Sequence, residues 1–414
     1  MMNLLLRPSR LKGFPSRRHR STGWSIFDSS VLMPTAVLLQ SALLNNSKSF
    51  ARFCEQHHVS FAPHGKTTMS PELFRIQLRD GAWAITAATA FQARTMIEHG
   101  VSRVFIANEV VAPGDIEWLA AATRDGQEVY CCVDSLAAVK ILDSGLAGLL
   151  KRQQVPVLVE LGVPQGRTGT RSVIEALAVA QEVSSSGHLR LVGASGFEGI
   201  IIATETQSAE ERVNQFLADL RRLVDEMIAL NMLHDIDEVL LAAGGSVYFD
   251  QVVEQLHRET PIVQERVIVR SGCYISHDDG VIHDLSPLGA VPRTPGDVFQ
   301  AALEVWGVVL SRPEPTRVII GVGKRDASTD GLLPIAKKIV RKGGTRPEPW
   351  SSLGRAIRVD DQHAYLEVDP SEDIAVGDFV GFGISHPCTT FDKWRAIPIV
   401  DDNYRVVNIA NTFF

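Results

Sequence analysis

Eight short β-rich runs, each followed by a stretch of different period, fill residues 59 to 270 and limit what this chain can become. The runs are Val59–Pro63, Ala82–Thr86, Val104–Ala107, Val129–Val133, Val155–Leu161, Leu191–Ala194, Val239–Ala242 and Val267–Arg270. Between them, apolar residues recur at helical spacing over Ala90–His99, Ile116–Arg124, Leu136–Gly145, Ser172–Ser184 and Glu210–Leu230. Strands separated by helices pair in parallel through right-handed crossovers. Eight such units in about 250 residues predict a closed (β/α)8 TIM barrel. An open doubly wound sheet is the competing arrangement, but no GxGxxG turn follows the first run. Ahead of the barrel strands, Ala36–Leu44 with Ser47–Gln56 reads as helix.

The pattern changes near Pro292–Pro295. Beyond it lie Val305–Leu310, Arg317–Gly321, Ala364–Val368, Phe379–Phe382, Ile397–Val400 and Val406–Ile409, with turn residues between them and almost no helical period. Arg341–Pro349 reads as a loose segment. The expected organisation is an N-terminal arm over 1–35, a barrel over 36–291 and a β-rich C-terminal domain over 292–414. Arg7, Arg10, Arg17, Arg18 and Arg20 give the arm a faint likeness to an organelle-targeting segment. Gly13 and Pro15 break any amphipathic helix there, so an irregular arm is expected.

Three partner classes are disfavoured. A net charge of −7 with no basic face argues against nucleic acid and against an anionic membrane surface. No apolar stretch approaches the roughly 18 residues of a membrane span. Five cysteines without a CxxC pair predict a reducing, cytoplasmic setting.

Chemistry collects where a barrel of this kind places it, at the C-terminal ends of the strands. The first run ends in Pro63-His64-Gly65-Lys66-Thr67, which puts Lys66 at a strand tip with His64 two residues before it. A lysine that loses water there becomes less protonated, and a free amine is a nucleophile toward aldehydes. The seventh run leads into Gly244-Gly245-Ser246 and the eighth into Arg270-Ser271-Gly272-Cys273-Tyr274. Glycines let backbone N–H groups approach an anion, and Ser246 adds a hydroxyl. Loops after strands seven and eight are where such barrels often hold phosphate, so a phosphorylated aldehyde cofactor is expected. The fifth run exits through Gly166-Arg167-Thr168-Gly169, where Arg167 could face a phenolate or carboxylate. In the second domain, Ser385-His386-Pro387-Cys388 follows a strand. Residues i and i+2 of an extended segment point the same way, so His386 and Cys388 could share one ion. Nitrogen with sulfur suits Zn²⁺.

These motifs, in this order, resemble the alanine-racemase-type (fold type III) pyridoxal-phosphate enzymes, and among them the D-serine dehydratase and D-threonine aldolase branch. The resemblance runs from about residue 36 to the C-terminus. It implies that Lys66 carries pyridoxal 5'-phosphate covalently, that Gly244, Gly245, Ser246, Gly272 and Cys273 surround its phosphate, and that His386 and Cys388 bind zinc. Lys66, His64 and Arg167 are then the candidate catalytic residues, with Arg167, Arg270 and Tyr274 also at the cofactor. The aldolases' matching pair resembles His-x-Asp and prefers harder ions, so Cys388 points to a dehydratase. Two motifs depart from the dehydratases. Gly196-Phe197-Glu198-Gly199 lacks their Gly-His and tyrosine pattern, and Arg270-Ser271-Gly272 resembles the racemase loop whose arginine faces the pyridine nitrogen. The implied activity is deamination of D-serine or a related β-hydroxy D-amino acid to a 2-keto acid and ammonia, in a homodimer. A D-threonine-type aldolase, a racemase and a non-catalytic cofactor carrier are the competing readings.

Overall fold

A computed structural model describes residues 11–16, 22–233, 236–350 and 354–414. The arginines singled out in the arm, Arg7, Arg10, Arg17, Arg18 and Arg20, lie outside them. The chain folds into two compact units, neither contiguous in sequence. One is Phe50–Lys66 with Gln77–Gly272; the other combines Met1–Ser49, Thr67–Ile76 and Cys273–Phe414.

The first strand corrects an expectation. Thr35–Leu39 is strand β1, and the helix starts only at Gln40 and runs to Gln56. Five residues rich in β-branched and large apolar side chains, four of them buried, have no helical period of their own. Pairing with a sheet decides their state.

In the barrel unit the strands are β2 (Ser60–Phe61), β3 (Ile85–Ala87), β4 (Arg103–Glu109), β5 (Glu128–Val133), β6 (Val155–Leu161), β7 (Leu189–Gly196), β8 (Val239–Ala243) and β9 (Glu265–Val269). They pair in parallel in the order β2-β9-β8-β7-β6-β5-β4-β3. The ring closes where Trp83 N donates to Phe61 O at 2.8 Å and Thr86 N to Pro63 O at 2.9 Å. The (β/α)8 expectation therefore holds. All residues of β6 and of β8 are buried, which is why both read as unbroken apolar runs rather than as alternation. Ala62, Phe105, Leu158, Leu240 and Ile268 pack together in one cluster of the barrel core. Thr89, Ser135, Ser172 and Ser208 each accept a backbone N–H at the start of the helix that follows. Such caps stabilise a helix by about 1 kcal/mol each.

In the other unit, β1 lies inside a mixed sheet, antiparallel to β10 (Leu303–Glu314) and parallel to β17 (Ala396–Val400). The remaining strands are β11 (Arg317–Ile320), β12 (Ile335–Val340), β13 (Glu348–Pro349), β14 (Arg355–Val359), β15 (Ala364–Glu367), β16 (Phe379–Gly383) and β18 (Val406–Asn411). The segment read as loose thus ends in β13, which pairs with β12. The described part of the arm is not peripheral: Phe14, Trp24 and Phe27 are buried in this unit's core. Phe27 meets Trp306 nearly edge-on at 4.9 Å between ring centres. Beneath them Glu304 accepts from Trp306 Nε1 at 3.0 Å, Tyr404 OH at 2.8 Å and Lys338 Nζ at 2.6 Å. A buried carboxylate is tolerable only with such partners.

Candidate active site

In the barrel unit, Lys66 stands in a single 3-10 turn, Gly65–Thr67, just beyond β2, and is partly buried. His64 forms a bridge with Thr86. Burial first, and then the cations Lys66, Arg270 and Arg167, hold His64 well below the usual histidine range, so its imidazole is neutral at working pH. Arg270 follows β9 and is 5% exposed. It donates through Nη2 to Gly196 O, and its guanidinium lies 5.4 Å from the Phe105 ring centre. Among the described residues, Arg270 Nε and His64 Nδ1 are buried without a hydrogen-bond partner. Arg167 is exposed and lies over the Phe197 ring at 4.4 Å.

The two glycine loops of this unit are tied together by Ser271, whose Oγ donates to Gly245 O at 2.6 Å. Gly244 has φ +103 and a side chain there would strike Val269, so glycine is required. Gly244 N and Gly245 N both donate to one carboxylate, that of the fully buried Glu198, at 3.0 and 2.5 Å. The loop geometry therefore already embraces an anion. A phosphate using these same two donors would displace Glu198. The glycine loops, Lys66 and the unpartnered Arg270 Nε form a donor set that fits pyridoxal phosphate.

Sequence reasoning missed an acidic group at three neighbouring strand ends. Glu109 closes β4, Asp134 follows β5, and Glu160 is next to last in β6. Both oxygens of Glu109 and one of Glu160 are buried without a partner among the described residues. Burial first, then the facing Glu160, push the Glu109 carboxyl up to about 8. An unfolded glutamate titrates near about 4.3. The folded protein thus binds the proton more tightly, and this group's contribution to stability is lost as pH rises from about 4 to about 8. Glu109→Gln removes the loss. The variant should melt higher than the parent at pH 8.5 and close to it at pH 5, read by thermal unfolding. An equal shift at both pH values would disprove this account of Glu109.

In the other unit, the sequence expectation about local geometry fails while the juxtaposition survives. His386–Cys388 is not extended: Pro387 has φ −68 and ψ −31, and Cys388–Phe391 is a short helical turn. Proline fixes φ near −65°, which suits a first helical turn. Cys388 still acts on His386. A hydrogen bond between them is the largest cause raising the imidazole to about 9. Asp330, absent from the sequence reading, lies 2.8 Å from His386 Nδ1. Thr389 Oγ1 donates to Asp330 at 2.9 Å, and Ser328 Oγ donates to it as well. A carboxylate on one ring nitrogen orients the ring, and the other nitrogen would become a ligand once a bound metal displaces its proton. Cys388 Sγ has Thr67 Oγ1 at 3.3 Å and Cys273 Sγ at 3.5 Å. Hydrogen bonding from Cys273, and after it from His386 and Thr67, overcomes burial and holds the Cys388 thiol well below its usual range. An imidazole and a readily ionised thiol fit a soft divalent ion such as zinc. Cys273 and Tyr274 begin a 3-10 turn, with Tyr274 buried 6.0 Å from the Phe299 ring.

A family described as "Putative serine dehydratase domain" matches residues 302–400. The fold is that of the alanine-racemase-like proteins, and in sequence the chain is similar to enzymes of the D-serine dehydratase and D-threonine aldolase branch. The D-threonine aldolase of Arthrobacter sp is 23% identical over 370 residues, covering 89% of each chain. The crystal structure of D-threonine aldolase from Filomicrobium marinum superposes with a TM-score of 0.77 at 19% identity, over 96% of this chain and 98% of that one. D-threo-3-hydroxyaspartate dehydratase from Delftia sp. HT23 gives 0.72 at 18% identity, over 92% and 97%.

Proposed function

We propose that the protein is a pyridoxal-phosphate- and zinc-dependent dehydratase of D-serine or a related β-hydroxy D-amino acid, releasing a 2-keto acid and ammonia. The observation that carries dehydration over aldol cleavage is Cys388, a thiol of lowered pKa beside His386 where the aldolases' pair resembles His-x-Asp. When bound, the cofactor would draw electron density from Cα and zinc would stabilise the departing oxygen.

The chain's own residues have defined tasks in this reading. Lys66 holds the cofactor and, once released from it, takes the Cα proton. Arg270 offers its unpartnered Nε to the pyridine ring, and Arg167 balances negative charge on cofactor or substrate. His64, neutral by burial and neighbouring cations, can donate or accept without adding charge. Asp330 fixes the orientation of His386. Ser246 and Gly272 supply further donors for the phosphate. The five cysteines are free thiols, which supports a reducing compartment such as the cytoplasm. Among the described residues no helix is long and apolar enough to cross a membrane. A homodimer is part of the proposal.

The second reading, a D-threonine-type aldolase, is favoured by the curated relative at 89% coverage. Products separate the two. Purified protein with pyridoxal phosphate and zinc is incubated with D-serine, D-threonine and 3-hydroxy-D-aspartate. The dehydratase reading expects keto acid and ammonia in equal amounts. Glycine with an aldehyde, and no ammonia, would overturn it in favour of the aldolase.

A further inference from the structure

The reading above leaves a second sulfur unused beside the pair. Cys273 Sγ lies 3.5 Å from Cys388 Sγ and 3.8 Å from Thr67 Oγ1. Two sulfurs on one tetrahedral zinc, each about 2.3 Å from it, stand about 3.8 Å apart. In a disulfide they would be about 2.05 Å apart. The observed separation falls near the first value and far from the second. Both sulfurs sit on fixed backbone: Cys273 opens a 3-10 turn whose carbonyl accepts from His277 N at 2.7 Å, and Cys388 opens a short helical turn.

We propose that Cys273 is a third protein ligand of the zinc, completing a Cys₂His set with His386 and Cys388. The inference rests on the reading that His386 and Cys388 hold that ion. Among the described residues no three His, Cys, Asp or Glu side chains already surround one point. The two sulfurs already stand near the separation that a shared zinc requires, and His386, a partly buried ring, is held by Asp330. Three protein ligands with one open position is the usual arrangement of catalytic zinc, and Cys₂His is one of its known forms. The open position is where the substrate's hydroxyl would bind. Two thiolates also cancel the double charge of the ion and sharpen selection for zinc over magnesium or calcium.

The test counts sulfurs. Full-length protein carrying pyridoxal phosphate is loaded with one equivalent of zinc, and X-ray absorption at the zinc edge reads the ligands. Two sulfurs per zinc are expected in the parent and one in Cys273→Ser, whose zinc affinity should fall at least about ten-fold in competition with a chelator. If Cys273→Ser does not fold, the parent spectrum alone decides the matter. One sulfur in the parent removes Cys273 from the site while leaving the His386–Cys388 reading intact. Protein that retains no zinc yet turns over fully overturns that underlying reading, and this one with it.

Discussion

Lys66→Ala protein will lose turnover by roughly four orders of magnitude or more, because one amine both anchors the cofactor and moves the Cα proton. Borohydride treatment of the parent should fix the cofactor on the peptide that contains Lys66, and the variant should yield no such peptide. Lys66→Arg should not rescue the loss, since a guanidinium stays protonated and is no nucleophile at neutral pH. The fold should survive either change, because Lys66 is only partly buried, in a 3-10 turn beyond β2. The assignment would be wrong if Lys66→Ala protein still gave a borohydride-fixed adduct with full turnover.

Metal removal should strike one half of the chemistry and spare the other. Hydroxide is a poor leaving group at neutral pH, and a coordinated metal stabilises a departing oxygen by several kcal/mol, or about a hundred- to a thousand-fold in rate. Chelation should depress keto-acid release by that factor. Cys388→Ala should do the same and resist rescue by added zinc, whereas the chelated parent should recover. Exchange of the Cα proton with solvent needs only the lysine and the cofactor, so it should persist in both, as should the yellow colour. The experiment follows exchange by proton loss in heavy water and keto acid by a coupled assay on the same samples. Metal-free protein that eliminates at the full rate would transfer the reaction to a metal-independent class.

What the sequence revealed follows from where each signal resides. The barrel was legible because runs such as Val155–Leu161 are buried throughout and stand apart from the helical spacing between them. The placement of Lys66, Arg270 and the glycine loops beyond strand ends was legible because sequence order supplies it. Ala36–Leu39 reads as helix in the sequence because the partners of its strand, β10 and β17, lie far along the chain and nothing local announces them. The acidic trio of Glu109, Asp134 and Glu160 escaped notice for a related reason: each is an ordinary carboxylate until neighbouring strands bring them together. Asp330 likewise becomes meaningful only when its loop folds against His386. At Pro387 the expectation erred on backbone geometry, since an extended segment was assumed where proline starts a turn.

The position of β1 has a consequence for how the protein is made. Leu38 pairs with Leu303 on one side and Ile399 on the other, so the strand emerges from the ribosome long before either neighbour exists. At usual synthesis rates the wait is on the order of tens of seconds. During it, a row of unpaired N–H and C=O groups on an apolar strand is open to wrong pairing. Nascent chains should therefore depend on chaperone cover until the last strands arrive. Shortening the C-terminus through Ala396–Val400 should harm solubility at the distant N-terminus, by depriving β1 of one of its two neighbours.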